Sequence, residues 1–247
     1  MCTIDNDQIL WRTGVHVAYL VHGFMRPVLT AGLLFAGVTL WGCGIMPVVE
    51  QVPVPNPKPL SELLQTRPLL LDRVVFDIPR GTVVGENRMG NACFRSEEIK
   101  WNGNSAFRDG QYHEEFERVV IQYNYRLLEK PTSLFERYKL SGAELILGAR
   151  ITNLKENHCS GLTGWNLDRG HFKGNVRFLV HWEVFSVAQQ KVVQSVDIEA
   201  SAQVEEFTPV GENNYYVTAF GNAVKGLLAN ANFHKVVTYA RENADPA

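Results

Sequence analysis

Two periodicities alternate along this chain in an order that predicts an α+β fold, with a mainly antiparallel sheet and two helices packed on one face. Three observations carry that expectation. In KVVQSVDIEASAQV, Val192, Val196, Ile198, Ala200, Ala202 and Val204 alternate with Ser195, Asp197, Glu199, Ser201 and Gln203, the signature of a half-buried strand. Just before it, GNVRFLVHWEVFSV sets Val176, Phe178, Val180, Trp182 and Val184 on one face. Two other stretches repeat at helical spacing instead: Phe116, Val119, Val120, Tyr123 and Leu127, then Tyr216, Phe220, Ala223, Val224, Leu227 and Leu228.

Taken in chain order, the domain begins after Pro68 with LLLDRVVFDI, whose length and β-branched content suit a strand. Gly81, Gly85, Gly90, Gly103 and Gly110 then punctuate a long polar stretch, read as a loop or loosely structured insertion held at one end by Cys93. The first helix starts near His113. Glu114, Glu115 and Glu117 sit where the helix dipole favours acids, and Lys130-Pro131 closes the element. AELILGARITNL reads as the next strand, and Ala188-Gln189-Gln190 joins the last two strands as a hairpin without an Asn-Gly type of turn signal. Asn213 or Asn214 caps the final helix. The order strand, helix, three strands, helix places two helices against one sheet. No internal repeat points to a solenoid.

Upstream, MRPVLTAGLLFAGVTLWGC has the layout of a bacterial export signal: Arg26 as a short positive region, an apolar run from Val28 to Trp41, then Gly42-Cys43. Leu40-Trp41-Gly42-Cys43 resembles the lipobox of bacterial lipoproteins, in which the cysteine is diacylated and becomes the new N-terminus, although Trp41 stands where a small residue is usual. That resemblance implies a signal peptide over residues 25–42 and a lipid on Cys43. The alternative is an uncleaved anchor helix, because apolar character continues through Ile45, Met46, Val48 and Val49, towards the ~20 residues that span a bilayer. A buried helix is a third reading. Residues 1–24 carry Asp5, Asp7 and Trp11 ahead of this signal; they are read as an over-extended start, with translation from Met25. Residues 47–68 hold six of the chain's eleven prolines, a composition that favours extended polyproline II with a short helical turn around Ser61 to Gln65; residues 43–68 are read as a lipidated tether, a spacer that lifts the domain off the membrane. The domain is expected over residues 69–240.

A formal net charge of -2 and the lack of a Lys/Arg run argue against a nucleic-acid partner. With Cys2 in the excluded leader and Cys43 acylated, Cys93 and Cys159 remain as an even pair in an oxidising compartment and are expected to form a disulfide. Two free buried thiols or a reactive cysteine are the competing readings. His158 lies beside Cys159, but sequence neighbours point in opposite directions in extended chain, so adjacency does not make a catalytic pair.

LFERYKLSGAELILGARITNLKENHC, then the hairpin VRFLVHWEVFSVAQQKVVQSVDIEASA, then YYVTAFGNAVKGLLANANFHKVV resemble a periplasmic module of bacterial lipoproteins that also precedes some secreted trypsin-like domains. More remotely, they are similar to the small α+β domain of the curli-channel, TolB N-terminal and penicillin-binding-protein-activator lipoproteins. The resemblance spans roughly residues 69–238 and implies binding and assembly without any catalytic residue.

Motifs for chemistry are scarce. There is no Gly-x-Ser-x-Gly elbow, Walker loop, His-Glu-x-x-His or Cys-x-x-Cys, and no cofactor or metal is expected. His113, His158, His171, His181 and His234 are scattered; His181 shares a strand face with Glu183, yet the sequence shows no third partner. For binding, GLTGWNLDRGHFKG is the expected loop, with Trp165, Arg169, His171, Phe172 and Lys173 forming an aromatic, basic surface, unless Trp165 packs back on the core. The leading expectation is a non-enzymatic lipoprotein on the periplasmic face of the outer membrane, where Gly44 after the cysteine favours placement by resemblance to lipoproteins generally. It would bind or scaffold another envelope protein. A periplasmic enzyme or its regulatory subunit is the alternative, and a small-ligand or lipid carrier is the third.

Overall fold

The structure, a computed structural model, describes residues 49–60, 64–90, 92–103, 109–128, 142–163, 168–209 and 214–240. In chain order the elements are β1 (Leu64–Thr66), β2 (Leu69–Phe76), β3 (Val83–Met89), β4 (Arg95–Lys100), α1 (Asp109–Gln122), β5 (Leu145–Thr163), β6 (Asp168–Ser186), β7 (Lys191–Pro209), α2 (Tyr215–Ala229), α3 (Ala231–Val237) and β8 (Thr238–Ala240). The fold is α+β, as the periodicities predict.

β5, β6 and β7 are 19 residues each, about 60 Å of extended chain. They pair antiparallel, with Trp182 opposite both Ala149 and Val196, so one register aligns the apolar residues of all three. Along β6, Val176, Phe178, Val180, Trp182 and Val184 are all fully buried, and the residues between them face the other way. α1 and α2 cover this inner face. Phe220 of α2 stands 5.6 Å from the Trp182 ring and 5.1 Å from Tyr112 of α1, and Phe116 reaches Trp182 from the other side at 6.2 Å. α2 lies close on β7 because Gly226 has no side chain: a Cβ there would stand 2.5 Å from Ile198 Cγ2. Asn214 caps α2, accepting from the Val217 amide at 3.3 Å.

Several elements depart from expectation. The glycine-punctuated stretch expected as a loop forms the β3–β4 hairpin, and β3 joins the sheet. β2 and β3 lie end to end along the same edge of β5, both parallel to it: β2 beside Leu145–Ile151 and β3 beside Glu156–Ser160. The sheet is therefore mixed, because the α1 crossover returns the chain to the end from which β2 started. Between the two partners, Asn153 takes φ +50° at a bulge in β5. The first helix stops at Gln122, and Leu127 instead bridges to Leu69. A third helix, α3, follows α2 directly.

The proline-rich segment expected as a free tether also differs. Val49 to Leu60 lies on the domain: the Val49 amide donates to Asn175 Oδ1 at 3.0 Å, the Val52 amide to Ser201 Oγ at 2.7 Å, and the Leu60 amide to the Tyr123 carbonyl at 3.2 Å. Leu64–Thr66 then pairs with β8, so the folded unit begins upstream of residue 69. Proline-rich chain lacks donors of its own but lies flat where side chains can meet its few amides.

Cys93, in the β3–β4 turn, is joined by a disulfide to the buried Cys159 of β5, 66 residues away. Two outcomes follow. Replacing both cysteines by alanine should lower unfolding stability by about 4 kcal/mol from loop-closure entropy, read by urea denaturation. Phe220→Ala, which empties the space between Tyr112 and Trp182, should cost about 3–5 kcal/mol in the same assay.

Candidate functional site

The sheet has one covered face and one that carries polar chemistry. On the outer face, charges pair across the long ladders. Arg177 Nε donates to Glu199 Oε1 at 2.6 Å and its Nη1 to Glu50 Oε2 at 2.9 Å. Four residues further along β6, His181 Nδ1 stands 2.7 Å from Asp197 Oδ1, while its Nε2 is 3.6 Å from Glu183 Oε1. Asp197 is the third partner that β6 alone does not reveal, since it arrives from β7 opposite His181. A depression of about 200 Å³ adjoins this cluster, between Arg73, Val75, Arg150 and His181 over the bare backbone of Gly148. Among the described residues no group of three His, Cys, Asp or Glu side chains is placed to hold a metal.

The expected binding loop is divided by strand alternation. Trp165 lies outside the described residues, as does Cys43, and Arg169 belongs to β6 without a described side chain. His171, Phe172 and Lys173 are β6 residues, so Phe172 cannot share a surface with His171 and Lys173. Phe172 turns to the helical side, its ring 5.7 Å from that of Tyr215. Lys173 turns away and sets its ammonium 4.9 Å above the ring of Phe207, a cation–π contact. The half-buried His171 keeps its Nδ1 without a hydrogen-bond partner.

A second polar centre lies where the helical side meets β5. Glu156 is only 6% exposed and faces α2, whose first two residues, Tyr215 and Tyr216, both donate their hydroxyls to Glu156 Oε2, Tyr215 at 3.2 Å. Burial pushes the Glu156 carboxyl above the usual carboxylate range, partly offset by the two tyrosine donors. Burial likewise pushes the neighbouring His158 imidazole down and the Tyr215 hydroxyl up. Sequence reasoning missed this centre. Its signal is a charged residue at an inward position of an otherwise apolar ladder, opposite Val176, but the Asn153 bulge changes which residues face inward.

On the helical side, a groove of about 540 Å³ lies between the end of α1 and the β1–β8 pair. Ile121, 61% exposed, and Tyr239, 39% exposed, rise beside Tyr125 and Arg126 there. Tyr125 is fixed beneath it by a 3.2 Å hydrogen bond to His234 Nδ1, and burial pushes its hydroxyl up to about 12.

The chain matches no protein-family model and no curated protein. Solved structures of similar outline do exist. A DUF330 protein of Xanthomonas campestris is 10% identical and aligns over 74% of this chain and 92% of its own, with a TM-score of 0.32. PelC of Paraburkholderia phytofirmans, a dodecamer, is 9% identical over 70% of this chain and 92% of its own, also at 0.32. The LpoB C-terminal domain of Salmonella enterica is 12% identical over 55% and 83%, at 0.26. Likeness at these scores carries no argument about function.

The Glu156 centre makes a pH prediction. Because its folded-state pKa is raised, the native state binds this proton more tightly than the unfolded chain does, and stability falls as pH rises from the ordinary carboxylate value through the raised one. Glu156→Gln cannot ionise and keeps an acceptor for the tyrosines. Its melting temperature relative to the parent should therefore rise as pH is taken from about 4 to about 8.

Proposed function

We propose that this chain is a lipid-anchored envelope protein whose α+β domain binds or scaffolds another envelope protein, without catalysis of its own. The single observation that carries the reading is the Cys93–Cys159 disulfide, which belongs to an oxidising compartment. It agrees with the export signal that ends at Gly42-Cys43. Both support exposure of the domain to the periplasm, and Gly44 after the cysteine favours the outer membrane.

A binding role is supported by how the outer-face polar groups are used. His181, Asp197, Glu183, Arg177 and Glu199 are engaged with one another. An exposed Ile121–Tyr239 pair beside a groove is the kind of amphipathic surface that protein partners cover.

Intact mass of the membrane-extracted protein, with and without Cys43→Ser, tests the anchor. A diacylated N-terminus at Cys43, lost in the variant, is expected; an unmodified full-length chain overturns the anchor. For the binding role, a photo-crosslinker at position 121 should yield one discrete adduct in intact cells, which Tyr239→Glu abolishes while the domain stays folded. No adduct at any expression level would overturn it.

A further inference from the structure

The proline-rich segment is not a spacer that holds the domain away from its anchor. Its first described residues lie on the outer face of the sheet. Val49 and Val52 donate their amides to Asn175 on β6 and Ser201 on β7, and Glu50 pairs with Arg177 between them. The contacts are close enough that Asn175 is 0% exposed and Ser201 3%, both buried polar residues on a face otherwise open to solvent. From β7, the edge strand of the sheet, the segment continues to the helical side, where Leu60 is buried against Tyr123. Two hydrogen bonds and an ion pair hold it at one end, and a backbone hydrogen bond with apolar burial at the other.

This docking sets where the anchor can be. Six peptide steps separate Cys43 from Val49, and at about 3.5 Å each they reach no more than about 20 Å. Sheet and helices form two layers, and each helix alone is about 10 Å across. A leash that leaves from the outer face cannot pass round both layers and still reach a bilayer on the helical side. Resting on the lipidation of Cys43 proposed above, we infer that the outer face of the sheet, around Asn175, Arg177 and Ser201, is held against the phospholipid bilayer. The helical face, with the Ile121–Tyr239 groove, points away from it towards partners.

Attraction to lipid is not what orients the domain. Around the docked segment, Lys155, Lys173 and Arg177 are outnumbered by Glu50, Glu86, Glu98, Glu199 and Glu205, so this patch has no excess of positive charge to draw it to anionic headgroups. The orientation comes from the short covalent leash and the docked segment together. It should survive high salt.

The test uses the full chain, expressed with its own leader, purified from membranes and placed in phosphatidylcholine vesicles that carry a nitroxide on the headgroup. One sample bears an environment-insensitive fluorescent amino acid at Gln203, exposed on the outer face beside Asn175; another bears it at Glu114, exposed on α1. Intact mass of each sample reports acylation of Cys43. With Cys43 acylated, loss of emission at position 203 and retained emission at 114, unchanged by salt, is expected. Acylated protein with equal quenching at both positions, or stronger quenching at 114, overturns the orientation and leaves the anchor standing. Unacylated protein with neither probe quenched overturns the anchor and the orientation with it. Inserting ten Gly/Ser residues between Met46 and Pro47 should abolish the difference between the probes. A difference that persists would mean that something other than the short leash orients the domain, and would overturn the leash mechanism.

Discussion

Everything in this domain depends on the packing of α2 against the β5–β6–β7 ladder, centred on Trp182 and Phe220. β6 is the middle strand, and its inward residues from Val176 to Val184 are apolar without exception. A slip of one residue would move that whole set to the solvent face and bring Arg177, His181 and Glu183 into the core. Register is therefore strongly specified, and with it the pairing of both neighbours. The helices have no comparable freedom, because α2 meets the sheet through large rings at one point and through a glycine at another.

The same constraint sorts the polar groups. Alternation sends every second residue of β6 and β7 outward, and these become cross-strand pairs: Arg177 with Glu199, His181 with Asp197. Such exposed pairs contribute modestly to stability, and their arrangement matters more as a surface on which the proline-rich segment can lie. That segment has amides at Val49 and Val52 spaced to meet Asn175 and Ser201, which sit on adjacent strands. The polar stripe of the ladder and the donor pattern of the segment fit each other. Glu156 marks the exception. The bulge at Asn153 lets an acid enter the inner face, where two tyrosines of α2 meet it and tie the helix start to β5.

How much was legible in the residues varied with the length scale of the cause. The alternation of β6 from Val176 to Val184 and of β7 from Val196 to Val204, the α2 face, the α1 face as far as Val120 and the Asn214 cap all arise from neighbours within a few positions, and the structure follows them; Val192, past a register shift, is instead exposed, and Leu127 lies beyond the end of α1. The β3–β4 hairpin was not legible, because its strands are mostly polar and exposed or half-exposed: the pairing of β3 with β5 and the Cys93–Cys159 link supply what local hydrophobicity lacks. Part of the expected binding loop is strand for a related reason. Gly170 and Gly174 look like loop punctuation, yet β6 runs through both, and strand geometry then sends Phe172 and Lys173 to opposite faces.

By itself, the sequence determined the α+β class, the long central ladder and the helices that cover it, because side-chain periodicity reports directly which face of an element must leave water. It also carried the apolar run from Val28 to Trp41 ahead of Gly42-Cys43, which is a matter of local composition. Only the tertiary structure decided that His181 finds Asp197, that Glu156 finds two tyrosines, and that the proline-rich segment binds back on the sheet. Each of these joins residues from separate elements, and their meeting depends on register, bulges and chain path, which no local pattern encodes.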